Sequence, residues 1–67
     1  MRVLIEDMIY LIKDAQFLDD SILLFPEDSP FLFRIPFDEY HSRDFVCHQL
    51  LQKGYLVAWA DAEKEFF

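Results

Sequence analysis

Eight phenylalanines, three tyrosines and one tryptophan put twelve rings into a chain of 67 residues, and no other feature constrains the fold as much. A chain this short buries only about 60% of the surface that its unfolded form exposes, so its core must be dense or be completed by a partner. Each ring can remove about 150–250 Å² from water, which makes the rings the means by which so short a chain folds. The length allows one domain, residues 1–67.

Several function classes are excluded by what the chain lacks. Gly54 is the only glycine and there is no threonine or asparagine, so neither a glycine-rich phosphate cradle nor an N-glycosylation site can be written. Cys47 stands alone, which rules out an internal disulfide and a thiolate zinc cage and points to a reducing compartment, the cytoplasm by default. Glu6, Asp7 and Lys13 interrupt the longest apolar stretches, so neither a bilayer-crossing segment nor a secretory leader is expected. Thirteen acidic against six basic side chains give a formal charge of −7, which repels phosphate backbones and anionic lipid. Direct nucleic-acid or membrane binding is therefore not expected, and a partner with a basic surface is favoured.

Along the chain, Leu4, Ile5, Met8, Ile9, Leu11, Ile12 and Ala15 recur with helical spacing opposite Glu6, Asp7, Lys13 and Asp14. This predicts an amphipathic helix from Val3 to about Leu18, with Tyr10 and Phe17 one heptad apart on its polar side. Alternatively the helix ends before Phe17, whose ring then turns into the core. Ser21–Phe25 and Phe31–Phe37 read as two strands of a hairpin around the loop Pro26, Glu27, Asp28, Ser29 and Pro30. Phe31, Phe33, Ile35 and Phe37 alternate on one face, and Pro36 requires that the strand lie at an edge or end there. Asp38–Lys53 reads as a second helix, capped by Asp38 or Ser42 and stopped at Gly54. Its apolar face is Tyr40, Val46, Cys47, Leu50 and Leu51, with Phe45 opposite among His41, His48, Gln49 and Gln52. Tyr55–Ala60 reads as a third strand, and Lys64–Phe67 as a short fourth. The expected fold is α+β in the order α-β-β-α-β(-β), two helices on a small, mainly antiparallel sheet. Its core would hold Val46, Leu50, Leu51, Val57 and Trp59 with Phe33 and Ile35.

The side chains able to carry chemistry are few. His41, Asp44 and His48 stand at i, i+3 and i+7, a spacing that can begin a zinc or nickel site. Two histidines seven residues apart lie about 10 Å apart along a helix axis, too far to share one ion within a chain, so a solvated helical face is the better reading. Cys47 and His48, adjacent on a helix, point about 100° apart and make no thiolate–imidazole dyad. With no nucleophile, metal cluster or phosphate loop, neither an enzyme nor a cofactor is expected.

The carboxylates are more informative, because Glu6 with Asp7, Asp19 with Asp20, Glu27 with Asp28, and Asp38 with Glu39 form adjacent pairs. The plain reading is a solubilising shell; the sharper one is a charged surface matched to a basic nucleic-acid channel. The sequence thus favours a small acidic protein-binding module. The expectation is an inhibitor that covers a basic surface of a nucleic-acid-handling protein, after the manner of the acidic proteins phages and mobile elements turn on host enzymes. Its expected contacts are Phe45, His41, His48 and Gln52, the aromatics Tyr10 and Phe17, and the acids Glu27 and Asp28. The rival readings are an obligate homodimer closed by surplus aromatics, and an antitoxin that neutralises a basic toxin.

Overall fold

The first eighteen residues form a β-hairpin, not a helix. In the computed structural model, which describes residues 1–53 and 62–67, β1 (Arg2–Ile5) pairs antiparallel with the ten-residue β2 (Met8–Phe17). Ile5 lies opposite Met8, and between them Glu6 and Asp7 both take positive φ, 48° and 68°. Two consecutive positive-φ residues are the signature of the tight turns that suit the right-handed twist of a hairpin, and glycine or asparagine usually occupies them. Here two acids do so, at a steric cost that polar residues bear better than β-branched ones.

Two features gave these strands the spacing of a helix. β2 carries a bulge at Lys13, where the partner register moves from Ile12 opposite Pro26 to Asp14 opposite Phe25. The inward residues of β2 are therefore Tyr10 and Ile12 before the bulge and Ala15 and Phe17 after it. Steps of two, three and two residues, preceded by the turn after Val3 and Ile5, imitate a 3.6-residue period.

β3 (Ser21–Pro26) and β4 (Phe31–Pro36) form the hairpin read from sequence, and β5 (Glu63–Phe66) adds to β4. The sheet is an antiparallel meander in the order β1-β2-β3-β4-β5. β4 thus lies inside the sheet and ends at Pro36, where the missing N–H does no harm. Ile22 lies opposite Ile35 and Leu24 opposite Phe33, and all four are buried. With Val3, Ile5, Ile12 and Val46 they make the core. Tyr10 meets the Phe33 ring edge-on at 4.8 Å between centroids.

Among the described residues there is one helix, α1 (Arg43–Lys53). The expected two-helix α+β arrangement is therefore replaced by the order β-β-β-β-α-β, a five-stranded sheet with a single helix on its core face. Ser42 is the cap: its Oγ accepts the Phe45 N–H at 3.2 Å and its carbonyl the Val46 N–H at 2.9 Å. Val46 is fully buried and Leu50 packs beside it, whereas Leu51, expected in the core, is 81% exposed. The strand expected at Tyr55–Ala60, with Val57 and Trp59, lies outside the described residues. No described helix is long and apolar enough to cross a membrane.

Candidate protein-binding surface

Two of the four acidic pairs meet at one end of the sheet. The β2–β3 turn, closed by the Leu18 N–H on the Ser21 carbonyl at 2.8 Å, carries Asp19 and Asp20. The chain leaving β4 returns to that turn, because the Phe37 N–H donates to the Asp20 carbonyl at 3.0 Å. Phe37 also stacks on Phe17 at 6.4 Å, so the next residues, Asp38 and Glu39, emerge beside Asp19 and Asp20. Asp44, in the first turn of α1, adds a fifth carboxylate to this region of the chain.

The loop from Phe37 to α1 has a defined shape. Asp38 Oδ1 accepts the N–H groups of His41, at 2.6 Å, and Tyr40, at 2.8 Å, while the Asp38 N–H donates to the His41 carbonyl at 3.1 Å. These bonds, the one from His41 first, hold the Asp38 carboxyl below the usual range against the opposing effect of partial desolvation. His41 Nδ1 lies 3.5 Å from the same carboxylate oxygen. The His41 ring meets Phe45 edge-on at 5.5 Å. Tyr40 is 77% exposed and Phe45 41% exposed, so two aromatic rings stand out beside the acidic end.

Two basic side chains lie near this end. The Arg43 guanidinium lies over the Phe17 ring at 5.5 Å. Arg34 makes a two-point contact with Glu65, Nε to Oε1 at 2.7 Å and Nη2 to Oε2 at 3.3 Å. That contact raises the Arg34 pKa and lowers that of Glu65.

The residues expected from sequence to act together are divided by the fold. Phe45 and His41 are in contact, and His48 and Gln52 are exposed further along α1. Tyr10 packs in the core against Phe33, because β2 turns it inward where a helix would have turned it out. Phe17 is half-buried beneath Arg43 and packs against the core from the end of β2, with no helix ending before it. Glu27 and Asp28 occupy the β3–β4 turn, where the Glu27 N–H bonds the Leu11 carbonyl at 2.8 Å. That turn is at the far end of β3 from Asp20, about 24 Å away for seven extended residues at 3.4 Å each. His41 precedes α1, so the His41, Asp44 and His48 spacing is not carried on one helix, and no described group of three His, Cys, Asp or Glu converges on a metal position. Tyr40 was missed because the apolar stripe was extended back to Asp38; choosing Ser42 as the cap takes Tyr40 off the helix. Asp19 and Asp20 were missed because their neighbours here are distant in sequence.

Comparison of the chain with protein-family models, curated proteins and solved structures gave no match.

Proposed function

We propose that the domain is a protein-binding module, an inhibitor that covers a basic surface of a nucleic-acid-handling protein with its acidic end. The observation that carries this reading is the Phe37 N–H bond to the Asp20 carbonyl, which joins two acidic pairs at one end beside the exposed rings of Tyr40 and Phe45. Charge steers a basic partner toward that end, and the rings supply area that gains on losing water. Of the bases nearest to it Arg34 is paired with Glu65, while Arg43 over the Phe17 ring keeps its charge and offsets one carboxylate of the group. A lone cysteine fits action in a reducing compartment.

The test is capture of partners from the cells of origin on immobilised domain, with Tyr40→Ala/Phe45→Ala as comparison. A basic, nucleic-acid-handling protein should be retained by the parent chain and roughly tenfold or more weakly by the variant. The variant should keep most of its thermal stability, since neither ring belongs to the buried core. A specific partner held equally by both chains contradicts the reading.

A further inference from the structure

We draw no further inference here: the strongest candidate, the apolar outer face of the β1–β2 hairpin at the β1 edge of the sheet, where Ile9 and Leu11 stand exposed, carries nothing, because nothing in the structure shows what covers it.

Discussion

Asp38 shows how one residue sets the geometry of the candidate surface. Its carboxylate accepts two backbone N–H groups, from His41 and Tyr40, and so fixes the loop that presents Tyr40 and leads into the Ser42 cap. Because its pKa is lowered in the folded state, Asp38 stabilises the fold above the ordinary aspartate range, and that contribution is lost as pH falls through the lowered value. A carboxyl titration followed by NMR should place Asp38 below ordinary aspartate, with the Tyr40 and His41 amide signals moving at the same midpoint; an ordinary midpoint would mean the loop is not held this way. The core makes a similar distinction between residues that sequence alone treats alike. Leu24 is fully buried between β2 and β4, so Leu24→Ala should cost roughly 2–5 kcal/mol in urea unfolding. Leu50 is only half-buried beside Val46, and Leu50→Ala should cost clearly less. Equal costs would show that α1 seats more deeply than described.

At the level of elements, the β1–β2 turn is the least ordinary part of the fold and the easiest to improve. Glu6→Asn/Asp7→Gly supplies the residues that positive φ favours, and relief of about 1 kcal/mol would raise Tm by roughly 4–8 °C in a domain of this size. An unchanged or lower Tm would contradict the turn. The same turn explains what could be read from the sequence and what could not. β3 and β4 were legible because Phe31, Phe33 and Ile35 alternate cleanly and two prolines bracket the intervening loop. The helix itself was legible around Val46 and Leu50, but Leu51 of the same expected face is exposed, its start was drawn four to five residues too early, and the expected stop at Gly54 lies outside the described residues. β1 and β2 were not legible, since an acidic pair replaces the usual turn residues and the bulge at Lys13 slips the alternation by one. That error carried into the site, turning Tyr10 outward on paper while the fold turns it inward. Phe45, on α1, is exposed as the helical spacing expects, with the His41 ring at its edge.

At the scale of the whole molecule, a charge of −7 is not spread evenly: the meander brings Asp19 and Asp20 to Asp38 and Glu39 and leaves Glu27 and Asp28 at the opposite turn. The rings of Phe66 and Phe67 lie 5.8 Å from Phe31 and 6.3 Å from Phe25 and stay 71% and 75% exposed. Carboxylates and uncovered aromatic surface thus coincide at the acidic end, with four acids, and to a lesser degree at the Glu27 and Asp28 turn, where exposed Phe67 donates its N–H to the Pro30 carbonyl. The most direct test of that claim is a backbone-amide NMR titration of the full chain with an arginine-rich peptide. Shifts should concentrate at residues 19–20 and 38–45 and fade as the Debye length falls from about 10 Å at 0.1 M salt to 3 Å at 1 M. Shifts centred on Glu27 and Asp28, or spread over every acidic pair alike, would contradict the account.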